Sequence, residues 1–165
     1  MTEKHILSLL VKDEPGVMNR ITGLFSRRNY NIDTITVGKT NVEGVSKIVL
    51  SLKANEKTLE QIKKQVNKIV EVVKIVEMKE KDAVVRELCL IKVSVKNQDA
   101  RNEITSFAET FRANIVDITH NAATIQLTGK PSQIEAFLGL MQKFGIKEIS
   151  RTGITALERE QNSSP

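Results

Sequence analysis

The sequence predicts an α+β protein of two tandem βαββαβ units, and three observations support this. Short apolar or β-branched runs alternate with segments whose apolar residues are three or four positions apart, which indicates strands alternating with helices. The order of these segments over residues 6–78 recurs over residues 88–150. A charged stretch, Lys79–Asp82, separates the two halves. Each half therefore has the order of a ferredoxin-like unit, in which both helices cover one sheet face.

The first unit begins with a predicted buried strand, Ile6–Val11, which the turn Asp13–Gly16 ends. An amphipathic helix is expected next, because apolar residues then recur at helical spacing and basic residues fall elsewhere on the wheel. Its apolar positions are Val17, Ile21, Leu24 and Phe25. Asn29 follows where a left-handed residue commonly ends a helix, and Asn is the usual substitute for Gly there.

Two β-branched runs, Asn31–Thr40 and Val45–Lys53, are joined by a short turn and predict a hairpin. A second helix is indicated by apolar residues at helical spacing, and strand Val72–Met78 completes the unit. The helix positions are Leu59, Ile62, Val66 and Ile69. Because Ile6–Val11 is apolar on both faces, we expect another subunit or the second domain to cover the sheet face away from the helices.

The second unit repeats this order. Its predicted strands are Leu88–Val95, Ile115–Thr119, Thr124–Thr128 and one near Ile146–Ser150, and its helices contain Ile104, Phe107, Ala108, Phe111, Ile134, Phe137, Leu138 and Met141. The predicted boundaries are 1–78 for the first domain, 79–85 for a linker and 86–158 for the second domain. Residues 159–165 are polar and end in Pro, so they are expected to form a disordered tail.

Composition narrows the classes of function. The chain has 165 residues, a net charge of +5 and a hydrophobic fraction of 40%, which is ordinary for a soluble globular protein. Two domains of about 80 residues each are near the lower limit for a self-sufficient core, which favours association. No signal-peptide pattern or apolar run of about 20 residues is present, so we expect a cytoplasmic location and no membrane span.

No catalytic or metal site is expected. His5 opens the first strand and His120 lies at a predicted hairpin tip, so both are interpreted as solvated end residues. Cys89 is the only cysteine and lies in an apolar segment, so it is interpreted as a core residue. The positive charge permits nucleic-acid contact, but the central strands lack the aromatic residues that stack on RNA bases, so no nucleic-acid partner is expected.

The segment Asp13–Val17 has two interpretations. In the structural one, Asp13 or Glu14 caps the helix and Pro15 lies near its first position. In the functional one, Gly16 lets a ligand approach the backbone, and the N–H groups at the helix start bind a carboxylate. The side chains of Asp13 and Asn31 would then pair with an ammonium group. The residue pattern alone favours the structural interpretation.

A resemblance to a known family favours the functional interpretation instead. Three segments, Ile6–Gly16, Ile21–Asn31 and Ile32–Gly38, together resemble the start of the ACT domain in the small regulatory subunits of acetolactate synthase (acetohydroxyacid synthase). Further blocks resemble that family in the same order: Leu59–Val73, Arg86–Lys92, Phe111–Thr119 and Ser150–Gly153. A lone D-x-P-G turn would indicate ACT domains in general, but the ordered set is specific to this subunit.

The resemblance implies a homodimer paired through its ACT domains, with a branched-chain amino acid, usually valine, held between them. It implies a separate large catalytic subunit that carries thiamine diphosphate, magnesium and FAD, whereas this chain has no cofactor and no catalytic residue. That enzyme condenses two pyruvates, or pyruvate with 2-oxobutyrate, in branched-chain amino acid biosynthesis. The small subunit is expected to activate the catalytic subunit and to confer feedback inhibition.

The positions that match the family's effector site are Asp13, Gly16 and Asn31, with Val17 and Ile32 nearby. Two departures from the family pattern are present, because Asp13 stands where some members have Asn and Asn29 stands where Gly is usual. The alternative function is a stand-alone amino-acid-sensing ACT protein that regulates another enzyme. The family blocks in the second half argue against that alternative.

Overall fold

The computed structural model describes residues 2–160 of the chain. Contacts between residues divide these into two compact units, one formed by residues 2–84 with 154–160 and the other by residues 85–153. Each unit contains a four-stranded sheet. The predicted α+β class with two ferredoxin-like units is confirmed.

The first unit has the predicted βαββαβ order. Its elements are β1 (Glu3–Lys12), α1 (Val17–Arg27), β2 (Thr34–Lys39), β3 (Val45–Ala54), α2 (Glu56–Val66) and β4 (Val72–Met78). The sheet order is β2-β3-β1-β4, and every pairing is antiparallel. Since β1 and β2 both run antiparallel to β3, they point in the same direction.

The two helices bury their apolar sides against one face of this sheet. We call the core on that face the helical-face core. It contains Leu7, Leu9, Val11, Val17, Ile21, Leu24, Phe25, Ile48, Leu50, Leu52, Leu59, Ile62 and Val66. The predicted helix positions are therefore the ones that pack. Asn55 starts α2, because its side chain accepts a hydrogen bond from the Thr58 N–H at 2.8 Å. Asn29 has a φ of 56°, which confirms the left-handed residue after α1.

The other face of the first sheet is covered by the C-terminal segment 154–158. Side chains alternate across a strand, so Ser8 and Val49 point away from the helices, and both are buried. The Thr36 hydroxyl donates to the carbonyl oxygen of Ile154 at 2.7 Å, and Ile154 is itself buried. The expectation that this face is covered is confirmed. The covering residues 154–158 were predicted to belong to the second domain, whereas they belong to the first unit.

The second unit repeats the order, and its first and last strands in sequence are longer than those of the first unit. Its elements are β5 (Ala83–Ser94), α3 (Gln98–Phe111), β6 (Asn114–Ile118), β7 (Ala122–Gly129), α4 (Pro131–Met141) and β8 (Ile146–Glu158), with sheet order β6-β7-β5-β8. Its core contains Ile104, Ala108, Ile134, Phe137, Leu138 and Met141 among others. Phe107 and Phe111 are partly buried against that core.

The boundaries differ from the predicted ones at two places. The predicted linker 79–85 is a short 3-10 turn, Glu80–Asp82, followed at once by β5. The predicted last strand ends at Ser150, whereas β8 continues to Glu158, and its last part belongs to the first unit. The backbone N–H of Arg159 donates to the Asp82 carbonyl at 2.8 Å, so the expected tail is ordered at its first residue. Residues 161–165 lie outside the described residues.

A charged cluster lies within the second unit. Glu87 is only 3% exposed, and Arg151 donates to its two carboxylate oxygens, from Nε at 2.6 Å and from Nη2 at 2.9 Å. Arg151 Nη1 also donates to Glu135 Oε1 at 2.5 Å. These hydrogen bonds raise the pKa of Arg151 further above its ordinary value. The cluster joins β5, β8 and α4.

Candidate functional site

The turn before α1 exposes the start of that helix. Gly16 has a φ of 87° and occupies the N-cap position, where no side chain forms a cap hydrogen bond. Neither the Asp13 nor the Glu14 side chain caps the helix, so that part of the structural interpretation is wrong, whereas Pro15 lies directly before the N-cap residue, close to the position expected for it. Both side chains are exposed, and the Asp13 N–H donates to the Gly44 carbonyl at 2.9 Å. The Val17 N–H donates to the Glu14 carbonyl oxygen at 3.4 Å, whereas the next two N–H groups, of Met18 and Asn19, have no acceptor within the helix and remain available to a ligand.

The space beside Gly16 is open. A Cβ built at this position would have no heavy atom within 4 Å apart from its chain neighbours. The glycine is required by its positive φ and not by crowding. Val17 follows it, but the Val17 side chain is buried in the helical-face core. The Val17 side chain is therefore not available to a ligand at the turn.

Asn31 and Ile32 lie beyond the other end of α1, before β2 begins at Thr34. The Asn31 side chain is exposed, and its Nδ2 donates to Asp33 Oδ1 at 3.3 Å. Ile32 is partly buried against the helical-face core. The Asn31 amide therefore faces solvent, with one long hydrogen bond to a neighbouring side chain.

A single copy of the chain does not bring these two groups of residues together. We define the turn half-site as Asp13, Gly16 and Val17, and the strand half-site as Asn31 and Ile32. Between them lies α1, whose 11 residues span about 16 Å at 1.5 Å per residue. The strand register agrees with this separation. Thr34, at the start of β2, pairs with Ser51 of β3, and Ser51 pairs with Ile6 of β1. Ile6 lies near the end of β1 that is far from the turn.

Two contacts near the turn were not predicted from the sequence. Arg20 on α1 forms an ion pair with Glu71, and the Glu71 carbonyl accepts from the Lys12 N–H at 2.9 Å. Both contacts connect the turn region to the start of β4. Only a helical-wheel position marked Arg20 as outward-facing, and nothing in the sequence marked Glu71 as its partner.

The prediction that His5 is solvated is wrong. It is 7% exposed, with Nδ1 located 3.0 Å from Glu77 Oε1 and Nε2 located 3.2 Å from the Ala54 carbonyl oxygen. The interpretation as a solvated strand end fails because β3 and β4 flank this end of β1. His120 is exposed in the turn between β6 and β7, as predicted.

The remaining candidates for chemistry are the thiol of Cys89 and any metal-binding cluster. Cys89 is fully buried, as predicted, and burial raises the pKa of its thiol, so the thiolate is disfavoured. Within residues 2–160, no group of His, Cys, Asp and Glu side chains has the geometry to hold a metal ion. No helix in that part of the chain has the length and apolar content to cross a membrane.

Comparisons with known proteins agree with this architecture. Residues 7–74 match the family model of the AHAS small subunit-like ACT domain, and residues 86–160 match that of the small subunit of acetolactate synthase. The probable acetolactate synthase small subunit of Methanothermobacter thermautotrophicus is 42% identical over 157 residues, which cover 95% of this chain and 94% of that protein. The acetolactate synthase small subunit of Bacillus subtilis is 45% identical over 157 residues, covering 94% and 91%.

A solved structure extends the comparison to three dimensions. The crystal structure of the acetolactate synthase small subunit from Thermotoga maritima has a TM-score of 0.88 and 41% sequence identity, and the match covers 96% of this chain and 99% of that one. The fold and the turn before α1 define a protein with an N-terminal ACT domain. The second unit narrows the class further, and the chain belongs to the acetolactate synthase small-subunit family.

Proposed function

We propose that this chain activates a separate catalytic subunit of acetolactate synthase and confers feedback inhibition by a branched-chain amino acid, with valine as the first candidate. The observation that carries the proposal is similarity over nearly the whole chain to proteins named as small subunits of that enzyme. Thiamine diphosphate, magnesium and FAD would belong to the catalytic subunit, and no residue of this chain is assigned to them.

The turn half-site has the chemistry to bind the carboxylate of an amino acid. The Met18 and Asn19 N–H groups, which have no acceptor within the helix, and the positive end of the helix dipole both favour an anion. The open space beside Gly16 lets a ligand approach the backbone closely. The Asp13 carboxylate provides a partner for an ammonium group at the same turn.

The strand half-site supplies complementary groups. The Asn31 amide presents both a donor and an acceptor to solvent, and Ile32 contributes a partly buried apolar surface for an aliphatic side chain. Because the half-sites lie at opposite ends of α1, both can contact one ligand only if they come from different copies. A two-fold dimer would place the turn of each copy beside Asn31 of its partner and would form two such sites.

Regulation would follow from this arrangement as a coupling free energy. An effector bound between two copies stabilises the dimer arrangement that forms the site. If that arrangement supports the catalytic subunit less well, effector binding lowers activity. The departure at Asp13 is relevant here, because its carboxylate attracts the ligand ammonium but repels the ligand carboxylate.

Reconstitution tests the proposal. Purified catalytic subunit would be assayed for acetolactate formation from pyruvate alone, with this chain, and with this chain plus valine. We expect the chain to raise activity, valine to lower it, and the chain alone to form no acetolactate. Absence of any effect on the catalytic subunit, or turnover by the isolated chain, would contradict the proposal.

A further inference from the structure

A row of three side chains on the first sheet faces away from the helices. Leu10 of β1 pairs with Lys47 of β3 on one side and with Lys74 of β4 on the other. Leu9 and Val11 belong to the helical-face core, so the alternation of a strand directs Leu10 to the opposite face. With strands about 4.8 Å apart, the two lysines are separated by ~10 Å at Cα, within reach of one small ligand.

This row borders a pocket of about 240 Å³. Leu10 and Val76 line it from the sheet, and Leu157 and Glu158 line it from the covering segment 154–158. The volume is below the range typical of sites for drug-sized ligands, so an occupant would be small. The pocket therefore combines apolar walls with two ammonium groups.

The two lysines of this pocket form no close ion pair in the described part of the chain. Within residues 2–160, no carboxylate lies within 4.0 Å of either the Lys47 or the Lys74 ammonium. Lys47 is partly buried, and this burial lowers the pKa of its ammonium, while the charge of Glu158 acts in the opposite direction. Glu158 offsets part of the positive charge of the two lysines, and a bound anion would offset more of it.

We propose that this pocket binds a small monocarboxylate with a short apolar chain, whose carboxylate lies between Lys47 and Lys74 and whose chain contacts Leu10 and Val76. A single negative charge is favoured over a phosphate or a dicarboxylate, because Glu158 at the rim would repel additional charge. The pocket is on the opposite sheet face from α1 and is separate from both half-sites. Its existence does not depend on the proposed effector site.

The test uses the full chain labelled with ¹⁵N and titrated with isovalerate. We expect amide shift changes at Leu10, Lys47, Lys74 and Val76, with affinity in the millimolar range. Isovaleramide, which has the same shape without the charge, and isopentylamine, which has the opposite charge, should produce no shift changes at these residues. Shift changes confined to the Asp13–Gly16 turn, or none at tens of millimolar isovalerate, would overturn the proposal.

Substitutions complete the test. Lys47→Met and Lys74→Met should each weaken isovalerate binding about tenfold or more, because each removes one charged hydrogen-bond donor. Lys53→Met is the matched control, since Lys53 lies six positions from Lys47 on the same strand and face, is exposed and does not line the pocket. Because Lys74 is exposed, we expect Lys74→Met to fold, and unchanged affinity in this variant would refute the site even if Lys47→Met did not fold.

Discussion

Replacing Arg151 with Met should destabilise the second unit substantially. The substitution leaves the Glu87 carboxylate, which is 3% exposed, without the two hydrogen bonds that it receives from Arg151. Breaking a buried ion pair by removing one partner typically costs 3–5 kcal/mol. Arg151 is itself 31% exposed, so water can reach part of the vacated space. We therefore expect a loss of about 3 kcal/mol in the free energy of unfolding, a large fraction of a typical total.

The assay is urea unfolding followed by far-UV circular dichroism, with each unit's transition analysed separately if the transitions do not coincide. Glu135→Gln is the matched control, because Glu135 contacts the same arginine but is 63% exposed, and its loss should cost less than about 1 kcal/mol. The double variant Glu87→Gln, Arg151→Met should recover part of the loss, since neither charge remains. If Arg151→Met costs no more than Glu135→Gln, the buried carboxylate does not depend on Arg151 and the reasoning fails.

Three further predictions concern the first unit and the buried thiol. Asn31→Ala should weaken valine binding roughly ten- to a hundredfold, as measured by calorimetry. Asn41→Ala, in the exposed hairpin turn, is the control and should leave valine binding unchanged. Equal valine affinities of the two variants would show that Asn31 does not belong to the site. Gly16→Ala should lower the free energy of unfolding by about 1–2 kcal/mol, because Gly16 has a φ of 87°. Gly38 has an ordinary φ and equally open surroundings, so Gly38→Ala should change the free energy of unfolding by less than about 0.5 kcal/mol. Similar losses for the two variants in thermal or urea unfolding would contradict the strain argument. Burial raises the pKa of the Cys89 thiol, so this thiol should react with iodoacetamide slowly in the native protein at neutral pH and readily in denaturant. Rapid labelling of the native protein would show that the thiol is accessible.

Local patterns predicted the parts of the fold that depend on local contacts. The spacing of Val17, Ile21, Leu24 and Phe25 predicted the buried side of α1, because a helix brings residues three and four apart onto one face. Asn29 was predicted as the left-handed residue after α1 for a similarly local reason. The apolar content of both faces of β1 also predicted that the open sheet face is covered.

Non-local contacts were not predictable in the same way. The last part of β8 alternates buried Ile154 and Ala156 with exposed residues, and this pattern is too short to predict a strand. The burial of His5 depends on β3 and β4, which come from distant parts of the sequence. The family resemblance indicated the residues of both proposed half-sites, and this assignment stays a prediction. Their separation follows from the length and direction of α1, which lies between two strands that point the same way.

The most direct test of a site shared between two copies is complementation between two damaged variants. Asp13→Ala and Asn31→Ala would each be titrated with valine, then mixed, allowed to exchange subunits and titrated again. If the half-sites come from different copies, each mixed dimer contains one site with both native residues, so random exchange should restore about one quarter of the sites at the parent affinity. A mixture that binds valine only as the sum of its two variants would show that both residues act within one chain or outside the site, and would contradict the account.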